Sequence, residues 1–175
     1  MQALTYPRVT GRDFILVLLA SFVICLFGSI SIPLWFTPIP IGTQNSVCLL
    51  MGALLGARRG AAAVFAFLMQ GAMGLPVFAG GAAGCLHLMG PRGGYLIGYL
   101  IAAFVVGTIV ERRRTLASAA LALAAGNGII YLAGAGYLAL FVGGAKALTL
   151  GIVPFLAGDL LKMVVTLKIL KGSWS

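Results

Sequence analysis

Long apolar runs, broken only by short clusters of basic residues, glycine or proline, dominate this chain of 175 residues. Charged residues make up 9% of the sequence, whereas 61% of the residues are apolar. Soluble domains are about a quarter charged, and a chain of this size still exposes a large share of its surface after folding. The lipid bilayer must therefore solvate most of that surface, and the sequence predicts an all-α integral membrane protein.

Apolar windows of about 20 residues predict membrane-spanning helices. Six such helices are predicted, at approximately residues 14–32, 43–57, 60–73, 93–110, 115–140 and 148–170. The prolines from Pro33 to Pro40 exclude a helix after the first span, and Arg58-Arg59 separates the second span from the third. The whole chain is interpreted as a single domain, 1–175.

Basic residues predict how these spans are oriented. With a cytoplasmic N-terminus, the cytoplasmic segments hold nine of the 12 Lys and Arg residues: Arg8, Arg12, Arg58, Arg59, Arg112, Arg113, Arg114, Lys168 and Lys171. The outer segments hold Arg92 and Lys146, and Lys162 lies within the sixth span. Because cytoplasmic loops carry an excess of Lys and Arg, both termini are predicted to be cytoplasmic in a multi-pass protein of the cell membrane. Residues 1–13 would form a short cytoplasmic segment before a retained first span.

This orientation places two irregular segments on the outer face. Residues 74–92 are rich in glycine and have prolines near both ends, and the loop around Trp35-Phe36 lies between the first two spans. Irregular backbone persists at membrane depth only where it is buried in protein or lines a cavity. We therefore expect these segments to form a lid over a small-molecule site.

The sixth predicted helix holds an ionisable pair inside the membrane, Asp159 and Lys162. The two residues are three positions apart and so share one helical face. Ionisable residues inside a membrane are candidate functional groups by default. The alternative is that the pair only neutralises itself, which gives little advantage over two apolar residues.

Other polar residues are weaker candidates for the same site. Arg92 ends the outer segment, and its alternative role is that of an interfacial arginine reaching the lipid headgroups. Asn127 and Tyr131 share one face of the fifth helix, and Gln44 opens the second. Any amide here has an alternative role as a helix–helix hydrogen bond, which is the role predicted for Gln70.

The remaining polar and small residues carry weaker signals. His87 has no partner at metal-ligand spacing and is interpreted as a loop residue. Ser21 and Cys25 place small side chains on one face of the first helix, which favours packing within the bundle, with a partner-protein contact as the alternative. The sequence shows no nucleophile–base constellation, metal-ligand cluster or phosphate-binding loop, so enzyme activity is not expected.

Several motifs resemble one known family. They are Gly74–Gly81, Gly90–Leu96 and Pro154–Lys162, supported by Pro38–Gln44 and Gly56–Gly60. In order and spacing they resemble the BioY family, the biotin-binding S components of energy-coupling factor (ECF) transporters, over nearly the whole chain. The resemblance implies a six-helix S-component-like bundle in a prokaryotic plasma membrane, with its site near the outer face.

The resemblance also implies ligand and partners. Biotin would be the ligand, and a transmembrane coupling subunit with two cytoplasmic ATPases would power its uptake, so that ATP is hydrolysed only by partners and this chain needs no cofactor. Ser21-x-x-x-Cys25 stands where such subunits usually carry an Ala-x-x-x-Ala motif for the coupling subunit. The alternatives are an S component for another vitamin, a solitary biotin carrier, or a structural membrane protein.

The chemistry of biotin suggests roles for the candidate residues. Asp159 would accept hydrogen bonds from the ureido N–H groups, since a carboxylate is acceptor-only, together with Asn127 or the backbone of Ala79, Gly80 and Gly81. Either Lys162 or Arg92 would hold the valerate carboxylate. The aromatic walls would come from Phe78, Tyr95, Tyr131 and Trp35, with Gln44 as a further candidate contact.

Overall fold

The structure, a computed structural model, describes residues 11–32, 35–36 and 39–174. The helices in these residues are α1 (Gly11–Gly28), α2 (Gln44–Leu55), α3 (Ala57–Ala72), α4 (Cys85–Met89), α5 (Gly93–Arg112), α6 (Leu116–Val142), α7 (Gly144–Gly151) and α8 (Val153–Trp174). A short antiparallel ladder joins β1 (Ser31–Ile32) to β2 (Ile41–Gly42). The predicted all-helical class is thus confirmed.

Four helical segments are long and apolar enough to cross a membrane within the described part of the chain: Gly11–Gly28, Gly93–Arg112, Leu116–Val142 and Gly144–Trp174. They expose large apolar side chains such as Leu132 and Leu140 in α6, which are 77% and 78% exposed. Such a surface needs lipid as its solvent, so the chain is a membrane protein. At a rise of 1.5 Å per residue, α2 and α3 are only about 18 and 24 Å long.

Three predicted boundaries differ from the structure. The first helix ends at Gly28 instead of residue 32, because Ser31–Ile32 pairs with Ile41–Gly42. The break between the second and third helices falls at Gly56, whose φ of +85° favours glycine, and the arginine pair lies inside the first turn of α3. The sixth predicted span is two helices, α7 and α8, which meet at Ile152.

One end of the bundle gathers acidic and basic residues at three helix ends. Asp13 in the first turn of α1 forms an ion pair of 2.7 Å with Arg59 in the first turn of α3. Glu111 at the end of α5 accepts a hydrogen bond of 3.2 Å from the backbone N–H of Ala57. A carboxylate is favourable at the N-terminus of a helix. We call this the charged end, and the start of α5 at Gly93 lies at the opposite end.

The core is built around the contact between α5 and α6 and extends outward to α1 and α3. Phe78, from the segment between α3 and α4, is fully buried and meets Phe67 of α3 edge to face, with ring centroids 5.6 Å apart. A Cβ atom at Gly71 would overlap the Phe78 ring. A glycine at this position therefore lets the outer segment pack closely onto α3.

Replacing Gly71 by Ala is expected to lower the free energy of unfolding by about 1–3 kcal/mol, the range typical of an overpacked core. The added methyl group would push Phe78 out of its place against Phe67. Thermal unfolding in detergent micelles would measure this change. Gly136→Ala in α6 is the matched control, because a Cβ there meets no other atom, and equal stability of the two variants would contradict the packing argument.

Candidate functional site

A cavity opens where the start of α5, the outer segment 74–92 and the first half of α8 come together. Eight of the predicted site residues line it: Asp159, Lys162, Arg92, Tyr95, Tyr131, Phe78, Ala79 and Gln44. Apolar side chains including Ile39, Leu96, Ile130 and Phe155 complete the wall. An apolar pocket with a few convergent polar groups is the usual form of a small-molecule site.

Asp159 is the centre of a hydrogen-bonded network in this cavity. Its Oδ1 atom lies 2.7 Å from Nζ of Lys162, and its Oδ2 atom accepts a hydrogen bond of 2.5 Å from the Tyr131 hydroxyl. Asp159 is 7% exposed. A buried carboxylate needs hydrogen-bond partners in place of the water that it loses on burial, and Lys162 and Tyr131 are those partners. A carboxylate offers about four acceptor positions, and Lys162 and Tyr131 leave room on both oxygens for further donors.

Lys162 ties α8 to the beginning of α2. Besides Asp159, its Nζ atom donates to the Gly42 carbonyl at 2.7 Å and to Oδ1 of Asn45 at 3.5 Å. An ammonium group has three donors, and these contacts use all of them. The lysine therefore holds the pocket together in this state, with two donors in short hydrogen bonds and the third in a longer contact with Asn45.

The start of α5 supplies an aromatic face and a cation. Tyr95 lines the cavity, and its hydroxyl donates to the Gly151 carbonyl at 2.8 Å, which fixes the junction of α7 and α8 beside the pocket. Arg92, immediately before α5, lies at the same wall. Burial and the positive charge of Arg92 lower the pKa of His87, so the imidazole is neutral at neutral pH and the positive charge at this wall belongs to Arg92.

The outer segment contributes one stacked aromatic pair. His87 stacks on Phe78 with ring centroids 5.3 Å apart and an interplanar angle of 16°, and both residues line the cavity. The N–H groups of Gly80 and Gly81 donate to the carbonyls of Ser29 and Phe78. These two glycines are exposed and lie outside the cavity wall, so of the predicted backbone stretch the structure brings Ala79 to the pocket.

Two other candidates lie away from the cavity. The Asn127 side chain donates to the Leu123 carbonyl of its own helix at 3.1 Å, and this residue is outside the wall. Trp35 is 96% exposed and meets Phe36 edge to face. The predicted face shared by Asn127 and Tyr131 therefore brings only Tyr131 to the pocket.

The small residues of α1 lie against α3. Gln70 donates through Nε2 to the Ser21 hydroxyl at 3.2 Å and accepts at Oε1 from the Cys25 thiol at 3.0 Å. The predicted helix–helix role of Gln70 is confirmed. Ser21 is fully buried, so the structure places this side chain inside the bundle and does not present it to a partner.

Three polar residues of the cavity wall were missed: Tyr99, Asn45 and His87. Tyr99 follows Tyr95 by four positions, and this spacing predicts a shared helical face. Asn45 adjoins Gln44 at the start of α2. For His87 the sequence offered no signal, because its stacking on Phe78 depends on how the outer segment folds.

The fold and the cavity define a helical membrane protein with a candidate site for a small molecule. Comparison with known proteins identifies the family. The family model described as the BioY family matches residues 1–175, and the chain belongs to this family.

Relatives and a solved structure agree with this assignment. The biotin transporter BioY of Thermotoga maritima is 42% identical over 137 residues, covering 78% of this chain and 80% of that protein. The biotin transporter BioY of Rhodobacter capsulatus is 42% identical over 166 residues, covering 85% of each. The crystal structure of an S component for biotin from an ECF-type ABC transporter matches with a TM-score of 0.84 and 27% identity, over 95% of this chain and 92% of that one.

Proposed function

We propose that this protein binds biotin at the Asp159 cavity and mediates its uptake across the cell membrane as the S component of an ECF transporter. The observation that carries the proposal is the network that buried Asp159 forms with half-buried Lys162 and Tyr131 in the cavity wall, in a chain of the BioY family. The relatives from Thermotoga maritima and Rhodobacter capsulatus are biotin transporters. Asp159 would accept from the ureido N–H groups, for which both of its oxygens have room.

The proposed topology has six spans with both termini in the cytoplasm. The charged end would face the cytoplasm, because Arg12, Arg59 and Arg112 lie at helix ends there and cytoplasmic ends carry the excess of basic residues. The cavity at the opposite end would then open towards the outside. The shorter helices α2 and α3 would cross as a pair shielded by their neighbours.

Energy for uptake would come from partners. We propose that a transmembrane coupling subunit and two cytoplasmic ATPases assemble with this chain, which itself carries no phosphate-binding loop in its sequence and would act as a binding subunit without cofactor, not as an enzyme. Uptake of labelled biotin by cells with and without the ATPases tests this arrangement. Accumulation that is equally strong without them would contradict it and favour a solitary carrier.

A calorimetric titration of the purified protein in detergent tests the ligand. Biotin is expected to bind at one site per chain, whereas thiamin and riboflavin, which lack the fused bicyclic head and the valerate chain of biotin, are expected not to compete. If another vitamin binds and biotin does not, the fold assignment still holds but the proposed substrate is wrong.

Arg92 is the proposed partner of the biotin carboxylate, because the donors of Lys162 are already used within the pocket. A guanidinium group suits a carboxylate through paired hydrogen bonds. Replacing Arg92 by Leu is expected to weaken biotin binding roughly 30-fold, in line with hydrogen bonds to charged groups. Biotin methyl ester, which lacks the charge, should bind the unmodified protein and the Arg92→Leu variant with similar affinity. If the substitution weakens the binding of ester and acid equally, the biotin carboxylate does not bind at Arg92.

A further inference from the structure

Gln44 carries a buried amide nitrogen without a hydrogen-bond partner among the described residues. The residue is 3% exposed, yet it is one of those that line the cavity. A buried donor left unpaired costs free energy, and native proteins leave few of them. In a wall that faces a ligand site, the direct explanation is that the missing acceptor belongs to the ligand.

Gln44 lies in the cavity wall beside the residues that anchor Lys162, the partner of Asp159, and we call this part of the wall the Asp159 corner. Its neighbours in the chain, Gly42 and Asn45, are the residues that accept hydrogen bonds from Lys162. Its side chain, amide carbon included, packs beside Gly28 at the end of α1, where a Cβ atom would lie 3.5 Å from Cγ and 3.6 Å from Cδ of Gln44. The same Cβ would lie 3.3 Å from the Val77 carbonyl, so α1, α2 and the outer segment converge on this side chain.

The donors and acceptors of the Asp159 corner differ in whether they already have partners within the protein. Asp159 is an acceptor, and the Lys162 ammonium and the Tyr131 hydroxyl direct their protons to protein atoms. A ureido group has two N–H donors and one carbonyl oxygen. The donors match Asp159, but the carbonyl needs a donor from the protein, and the Gln44 amide nitrogen is one that the pocket leaves unpaired.

We propose that Gln44 donates a hydrogen bond to the ureido carbonyl oxygen of biotin and so determines specificity for a cyclic urea. This inference rests on the proposed function. It assigns the two faces of the ureido group to different helices, its N–H groups to Asp159 on α8 and its oxygen to Gln44 on α2. A ligand with a hydrogen-bond donor in place of that oxygen would be disfavoured.

The test compares biotin with 2-iminobiotin, in which a nitrogen that is protonated at neutral pH replaces the ureido oxygen. Gln44→Leu removes the donor, and we expect the affinity for biotin to fall roughly tenfold. Gln44→Glu replaces the donor by an acceptor of the same shape. We expect it to weaken biotin binding at least as much and to strengthen 2-iminobiotin binding roughly tenfold over the unmodified protein, as measured by calorimetry in detergent.

Gln70→Leu is the matched control, since this glutamine pairs with Ser21 and Cys25 away from the cavity and its loss should leave both affinities unchanged. If Gln44→Leu does not fold, Gln44→Met takes its place, because its side chain has the same length. Equal losses for both ligands in the Gln44 variants would show a structural role and overturn the inference alone. Failure of the unmodified protein to bind biotin would overturn the proposed function together with the inference.

Discussion

Replacing Asp159 by Asn is expected to reduce the affinity for biotin about 100-fold or more, because truncating one partner of a buried, hydrogen-bonded charge pair costs several kcal/mol. Asp159 accepts from both Lys162 and Tyr131 and is the proposed acceptor for the ureido N–H groups. Asn has one acceptor oxygen and carries a donor where the second oxygen was. It would leave the half-buried Lys162 ammonium without its counter-charge. Calorimetric titration of the variant measures the loss.

Asp13→Asn provides the control for this experiment. Asp13 also forms a 2.7 Å ion pair, but with Arg59 at the charged end of the bundle. Its loss should leave biotin affinity unchanged, since this pair lies at the charged end of the bundle, opposite the cavity, and touches no residue of the cavity wall. Unchanged affinity after Asp159→Asn would place the ligand elsewhere, whatever Asp13→Asn does.

The second expected result separates the structural role of the Asp159–Lys162 pair from its role in binding. Asp159→Asn alone should lower the free energy of unfolding by up to about 3 kcal/mol, the lower end of the range for fully buried pairs, because it leaves the half-buried Lys162 charge without its partner. Adding Lys162→Met removes that charge with a side chain of similar volume. Replacing a whole buried ion pair by uncharged groups is often neutral or stabilising, so the double variant should recover most of the lost stability.

Binding should not recover in the same double variant. The proposed acceptor for the ureido group remains absent, and Gly42 and Asn45 lose the contact that holds the start of α2 against α8. Thermal unfolding and biotin titration on the single and double variants would show this difference. If stability and affinity return together, the pair serves packing only, and the protein is better described by the structural alternative.

The membrane class and most helices could be predicted from the sequence because they depend on local and collective properties. Apolar runs with few charges predict bilayer spans wherever they occur, and α5 and α6 begin and end within about two residues of their predicted bounds. The boundaries at Gly28, Gly56 and Ile152 were missed. They depend on a short strand pairing, a glycine with positive φ and a break before α8, and none of these changes the hydropathy of the sequence.

The charged residues of the candidate site could be predicted from the sequence, because the predicted spans contain very few charged residues. Of the three acids, only Asp159 lies within a predicted span, and the structure places it in the cavity together with Lys162. Asn127 and Trp35 were equally plausible by composition. The rotation of α6 places Asn127 away from the wall, and Trp35 is almost fully exposed.

The sequence by itself determined that lipid is the solvent, which segments form helices and which few ionisable groups a buried site can use, because these follow from composition and spacing along one chain. Only the tertiary structure decided how those groups share their hydrogen bonds. It showed that the three donors of Lys162 are used by Asp159, Gly42 and Asn45, and that the amide nitrogen of Gln44 is buried at the cavity without a partner among the described residues. Such facts depend on side chains from different helices meeting within about 3 Å, a condition that sequence spacing does not specify.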